Sequence, residues 1–186
     1  TEQCAADLGR IRNAASHLLA MITEVLDFFR IEAGKVELAP TTFDLPALLR
    51  AAADDVRLVA EKNNTQLKVT VAPAVASIFA DQTRVRQCVL NLMSNAAKFT
   101  HDGAIEVEAG PCRIDGAPGV AIVVRDTGQG IAPEDLKRLF QPFVQVDNTN
   151  TRVHDGAGLG LVITRRLARA MGGNVVAESA PGKGST

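Results

Sequence analysis

The feature that most limits what this chain can become is a seam near its start. Cys4, Leu8, Ile11, Ala15, Leu18, Ile22, Val25 and Phe29 are small or apolar and follow one another in alternating steps of four and three. Steps of four and three keep all of them on one stripe of an α-helix, and Leu19 and Leu26 widen that stripe. A helix this amphipathic needs another helix against it, so residues 1–34 are predicted to enter a bundle or coiled coil. Glu2, Arg12, Glu24 and Arg30 lie elsewhere on its surface, and Gly34 supplies a stop.

After the helix the pattern changes. Lys35 to Phe43 contains Pro40, Thr41 and Thr42 and reads as an extended connector, which places a domain boundary over residues 35–44. From residue 45 to 186 a second domain is predicted. It opens with a helix over Leu45–Lys62, whose apolar face takes in Leu48, Leu49, Ala52, Val56, Leu58 and Val59, and Asn63-Asn64 ends it. Leu67-Val69-Val71 alternates as a strand, Ile78–Ala80 suggests a short one, and a second long helix runs from Gln82 to Phe99. Two alternating strands follow, Ala104–Ala109 and Val120–Arg125, with the turn-rich stretch Pro111–Gly119 between them. Pro133 opens a short helix, another spans Leu159–Met171, and Asn174–Ser179 reads as the last strand. The order argues for an α+β fold: a two-layer sandwich with helices on one face of a mixed sheet, preceded by the long bundle-forming helix.

Composition narrows the function. With 186 residues and 46% apolar content the chain can bury a core, and with 20 basic residues against 21 acidic ones it shows no nucleic-acid footprint. Cys4, Cys88 and Cys112 lack any Cys-x-x-Cys spacing, which argues against a zinc site or a disulfide framework and for a reducing, cytoplasmic setting. No apolar run approaches the roughly 20 residues that span a bilayer, so no membrane contact is expected of this segment. Thr1 in place of methionine, and a terminal turn that should feed another strand, suggest a piece of a larger protein.

Chemistry concentrates in three places. At about 100° per residue, Arg84, Gln87, Asn91, Asn95 and Lys98 share a narrow stripe of the second long helix, beside an apolar face of Val85, Cys88, Val89, Leu92, Ala96 and Phe99. Amide oxygens can coordinate a hard cation such as Mg²⁺, and a lysine one turn on can neutralise phosphates that the cation bridges. A solvated polar face is the plainer reading, but asparagine is a poor helix former. The second place is Asp126-Thr127-Gly128-Gln129-Gly130-Ile131, directly after a strand, where glycines let backbone approach a planar ligand and the carboxylate can accept from an exocyclic amine such as that of adenine. The third is Gly156-Ala157-Gly158-Leu159-Gly160-Leu161 at a helix N-terminus, where free N–H groups favour phosphate. A dinucleotide fingerprint would need glycine at Leu161 and a strand leading in, and Gly182–Thr186 lacks the Gly-Lys-Ser/Thr core of a P-loop.

Together these stretches resemble the GHKL ATPase superfamily, and more closely its histidine-kinase branch. Asn91–Thr100 resembles the N box, Asp126–Ile131 the first glycine box, Phe140-Gln141-Pro142-Phe143 the F box, and Gly156–Leu161 the second glycine box. Leu26–Lys35 resembles the end of the second dimerisation helix of these kinases, so the resemblance spans nearly the whole chain. It implies ATP and Mg²⁺ as cofactors, with Asn95 holding the metal and Asn91 and Lys98 near the phosphates. It implies that Asp126 reads adenine beside Gly128, Gly130 and Ile131, and that Gly156, Gly158, Leu159, Gly160 and Leu161 form the phosphate side. Gln145–Gly156 would be a lid over the nucleotide, pinned by Phe140 and Phe143; its length and polarity independently suit a lid. Ala157 stands where the family often has threonine.

The family's phosphoacceptor histidine sits in a short motif with an acidic residue, usually followed by Arg-Thr-Pro, and this sequence has no such motif. His17 lies off the seam in the pattern of the second helix, while His101 follows the N box and His154 falls in the lid stretch. The expected reaction is therefore γ-phosphoryl transfer to a histidine on an upstream helix outside this sequence, then relay to an aspartate of a response-regulator receiver domain. A homodimer through the first helix is implied for the whole protein. Two other readings are a clamp ATPase of the gyrase, chaperone or mismatch-repair kind and a non-catalytic signalling module. The heptad helix argues against the first, and intact Asn95, Lys98, Asp126 and Gly128 argue against the second.

Overall fold

The computed structural model describes residues 2–33, 37–144 and 158–186, with the side chains of 2–6, 13, 14, 16, 17 and 20 outside the description. Gly34, the lid stretch Gln145–Gly156 and Ala157 thus lie outside the described residues, as do the side chains of Cys4 and His17. The first helix, α1 (Glu2–Glu32), has the predicted length. Of its seam, Leu8, Ile11, Ala15, Leu18, Ile22 and Phe29 are exposed. What α1 buries is a patch at its end centred off the seam, where Phe28 joins Leu159, Val162, Ile163 and Leu167, with Ile31 and the seam residue Val25 packed alongside.

The second domain is built on α2 (Leu45–Lys62) and α3 (Gln82–Phe99), whose starts are fixed by side chains. Asp44 accepts from Ala47 N at 2.6 Å and Asp81 from Arg84 N at 3.0 Å, each satisfying a backbone donor that the first helical turn leaves over. Burial raises the Asp81 carboxyl's pKa, but hydrogen bonds from the backbone of Ala39, Arg84 and Thr83 and the Arg84 charge outweigh it, and the carboxyl ends below its ordinary value. On α2, Leu48, Leu49, Ala52 and Val56 are buried as expected and Ala53 and Ala60 join them, but Leu58 and Val59 are exposed. Leu58 follows Val56 by two positions, about 200° around the helix, and so points away from the sheet.

Strands β1 (Thr41–Asp44) and β3 (Ser77–Ala80) form a small antiparallel pair with Phe43 opposite Ile78. Residues expected in the connector are therefore paired, and Phe43 is buried in the main core. The larger sheet takes β2 (Gln66–Val71), β4 (Ala104–Ile114), β5 (Ala117–Asp126), β6 (Ser179–Ala180) and β7 (Gly184–Ser185) in the order β2-β4-β5-β7-β6. Only β2 and β4 run parallel; β3 and α3 lie between them in the chain and carry the crossover. Ile105, Val107 and Ala109 are buried while Glu106 and Glu108 are exposed, so α2 and α3 cover one face and water the other. The predicted two-layer α+β fold stands.

Two strand boundaries differ from expectation. The β4–β5 hairpin runs through Pro111–Gly119 and turns only at Asp115 and Gly116, which have φ of 48° and 83°, the left-handed pair that a two-residue hairpin of type I′ requires. Asn174–Ser179 alternates as a strand but joins the sheet late: Glu178 exchanges backbone bonds with Thr186, and β6 starts at Ser179. Alternation alone supplied no pairing partner for the residues before them.

Candidate nucleotide site

Helix α3 buries Val85, Val89, Met93, Ala96 and Ala97 against the sheet, and this turns its polar stripe toward the open end of β5. There Asn91, Asn95 and Lys98 line one side of a cavity of about 750 Å³, and Asp126, Gly130 and Ile131 line another. Gly158, Gly160 and Leu161 at the start of α5 (Gly160–Ala170) border it as well, as does Phe140, just beyond the short helix α4 (Pro133–Leu136). Arg84 and Gln87 share the stripe but face α1 instead: Arg84 lies 3.7 Å from the Asp27 carboxylate, and Gln87 donates to it at 3.0 Å.

Asp126 ends β5 and is half-buried. Burial is the main influence on its carboxyl and raises the pKa; hydrogen bonds from Gly128 N and from the backbone and hydroxyl of Ser185 oppose this without cancelling it. The bond from Gly128 N, at 2.8 Å, holds Oδ1 in place. Gly128 itself is buried and does not line the cavity. It contributes by absence, since a Cβ there would lie 2.4 Å from the Phe99 carbonyl oxygen, so only glycine lets this loop close onto the end of α3.

The second glycine box divides its labour. Gly158 and Gly160 face the cavity, whereas Leu159 is fully buried with Val162, Ile163 and Leu167 and anchors the helix start. Gly156 lies outside the described residues. The F box also divides: Phe140 lines the cavity with the Arg165 guanidinium 4.8 Å from its ring centre, while Phe143 is exposed, does not line it, and meets the Phe28 ring at 6.0 Å. Glu24 of α1, Val120–Val124 and Val175–Glu178 border the same cavity although no motif marks them as site residues. They reach it through tertiary approach, which no local spacing records.

The chemistry fits an adenine nucleotide with its metal. A carboxylate at one end can accept from an exocyclic amine, Ile131 and Phe140 offer apolar surface to a flat ring, and Lys98 supplies a cation. Among the described residues no group of three or more His, Cys, Asp or Glu could hold a metal ion. On the α3 side of the cavity the hard-oxygen donors include the amides of Asn91 and Asn95, which suit Mg²⁺ brought in on phosphates and still partly hydrated. Cys88 is no candidate nucleophile, because burial pushes its thiol up to about 11.

Comparison with known proteins agrees with this geometry. Residues 80–186 match the family model described as histidine kinase-, DNA gyrase B- and HSP90-like ATPase. The chain therefore belongs to that family. Curated relatives that it matches along nearly its whole length are named as sensor proteins and histidine kinases. It is 39% identical to the sensor protein GacS of Pseudomonas syringae pv. syringae over 96% of this chain and 20% of that protein. It is 40% identical to the histidine protein kinase DivJ of Caulobacter vibrioides over 95% of this chain and 29% of that one. Among solved structures, full-length ShkA in complex with AMPPNP superposes with a TM-score of 0.84 at 37% identity, covering 100% of this chain and 37% of that one. The chain thus spans less than a third of the curated relatives it matches. No helix among the described residues is long and apolar enough to cross a membrane.

Proposed function

We propose that this chain is the ATP-binding catalytic portion of a two-component sensor histidine kinase, joined to the second helix of the dimerisation domain. The observation that carries this is the meeting of Asn95 and Lys98 with Asp126 on one cavity, which Gly158 and Gly160 also line at a helix N-terminus. In this reading Asp126 accepts a hydrogen bond from the adenine amine, and Gly130, Ile131 and Phe140 border the ring. Asn95, aided by Asn91, presents an amide oxygen to Mg²⁺, and Lys98 and the backbone at Gly158 and Gly160 take phosphate charge. Bound Mg²⁺ would neutralise charge on the phosphate oxygens. An imidazole nitrogen from a helix outside this sequence attacks the γ-phosphorus, the bond to the bridging oxygen breaks, and ADP leaves with that electron pair. The chain's own contribution is placement and charge, the usual demands of phosphoryl transfer. The phosphohistidine then serves an aspartate on a response-regulator receiver domain. Two copies of α1 meeting along the exposed seam would form the dimer of a parent whose kinase part faces the cytoplasm.

The test is transfer itself. The chain joined to a helix bearing the phosphoacceptor motif is incubated with γ-labelled ATP and Mg²⁺. Acid-labile, base-stable label on the added histidine is expected, and Asn95→Ala should abolish it. Steady phosphate release with no phosphohistidine would instead identify a clamp-type ATPase.

A further inference from the structure

We infer that Thr164, which nothing in the motif pattern marks, is a positioning residue for Asn91 and selects which end of that amide faces the nucleotide. The inference rests on the proposed adenine-nucleotide site and adds a residue to it. Thr164 lies on α5, is 1% exposed and does not line the cavity, so it cannot touch the ligand. Its hydroxyl donates to Gly160 O at 2.9 Å, a bond back along its own helix. With its one proton committed there, Oγ1 can only accept from a neighbour. Asn91 supplies the donor: its Nδ2 lies 2.8 Å from Thr164 Oγ1.

The consequence is directional. An asparagine amide has a donor end and an acceptor end of nearly the same shape. Turning the Asn91 amide over would set Oδ1 against a hydroxyl whose proton points elsewhere, so Thr164 would have to give up Gly160 O. Held as found, the amide keeps Nδ2 on Thr164 and Oδ1 over the backbone of Gly160, where a Cβ would lie 2.3 Å from it. One turn of α5 thus clamps both ends of the side chain: glycine leaves room for the oxygen and threonine takes the nitrogen. Asn91 and Gly160 both line the cavity, so the end of the amide that Thr164 leaves free borders the proposed phosphate side. The Cys88 thiol, one turn before Asn91, lies 3.7 Å from Thr164 O and packs the two helices together at this point.

The experiment measures binding by the 186-residue chain in two states. Thr164→Val keeps the shape and removes the hydroxyl; Thr164→Ser keeps the hydroxyl. Calorimetric titration with AMPPNP and Mg²⁺ should show Thr164→Val weakened about tenfold, the scale of one buried hydrogen bond, with Thr164→Ser within about twofold of wild type. Titration with ADP in EDTA should leave all three alike, because without the metal the Asn91 oxygen has no cation to meet. Equal Mg²⁺–AMPPNP affinity for Thr164→Val and wild type would overturn the inference, as would an equal loss in both titrations or no rescue by serine. Wild-type chain that bound neither nucleotide would instead overturn the proposed site. If Thr164→Val fails to fold, the wild-type chain decides alone: its Asn91 side-chain amide protons should exchange slowly in NMR spectra, and solvent-like exchange would sink the inference.

Discussion

Helices α1 and α3 are both amphipathic, yet the structure treats them in opposite ways. On α3 the apolar face, centred on fully buried Met93, is spent against the sheet, and the neighbouring stripe is spent on the cavity. On α1 the seam residues Leu8, Ile11, Leu18, Ile22 and Phe29 stay exposed, and among the described side chains docking falls in the last turns, through Phe28 and Val25, Asp27 with Arg84 and Gln87, and the ion pair of Glu32 with Arg166. A period of 3.6 thus says that a face needs cover without saying what covers it. For α3 the cover is in the same domain, brought by α2, β4 and β5; for α1 it is proposed to be a second copy.

The contrast can be broken by substitution. Met93→Ala should cost about 2–5 kcal/mol in denaturant unfolding, the range for opening a cavity at a fully buried site. A loss under about 1 kcal/mol would mean that α3 is not the centre of the core. Next in size is the cap of α3: Asp81→Ala should cost about 1 kcal/mol near neutral pH. Because the folded carboxyl titrates below its ordinary value, the stability it adds is present above the unfolded pKa and is lost as pH falls through the folded one. The difference between wild type and variant should therefore shrink on acidification, and a difference that grew would contradict the capping geometry. Smallest is Ile22→Glu on α1, expected within about 0.5 kcal/mol for unfolding of the second domain. Its effect should appear in sedimentation of the dimerising parent, where a negative charge on the seam should favour monomer; an unchanged dimer would assign the seam another partner.

The same contrast shows how much was legible in the sequence. The predicted bounds of α2 and α3 match the structure, where each start is set locally by a cap, Asp44 or Asp81, acting within three residues. The hairpin was misplaced because Gly110, Pro111, Pro118 and Gly119 crowd the one pair, Asp115-Gly116, whose conformation makes the turn. At the site, the Asn91-Asn95-Lys98 stripe follows from helix geometry alone. Asp126 gained its role from the resemblance, since Asp-Thr-Gly is also an ordinary turn. Thr164 and Glu24 were invisible because their importance arises where α5 and α1 come up to α3, an approach set by packing among Phe28, Leu159 and Ile163.

The central claim is that one cavity unites Asp126 with Asn95 to hold an adenine nucleotide. Calorimetric titration of AMPPNP with Mg²⁺ against wild type, Asp126→Ala and Asn95→Ala tests it most directly. Wild type should bind, and each variant should lose about tenfold to a hundredfold, the scale of a charge-assisted hydrogen bond or a lost metal ligand. Binding to wild type should also weaken as pH falls, beginning above the ordinary aspartate range, because the raised Asp126 carboxyl protonates early and loses the charge that strengthens its hydrogen bond from the adenine amine. A folded wild-type chain that gives no heat, or an Asp126→Ala variant that binds as tightly as wild type, would contradict it.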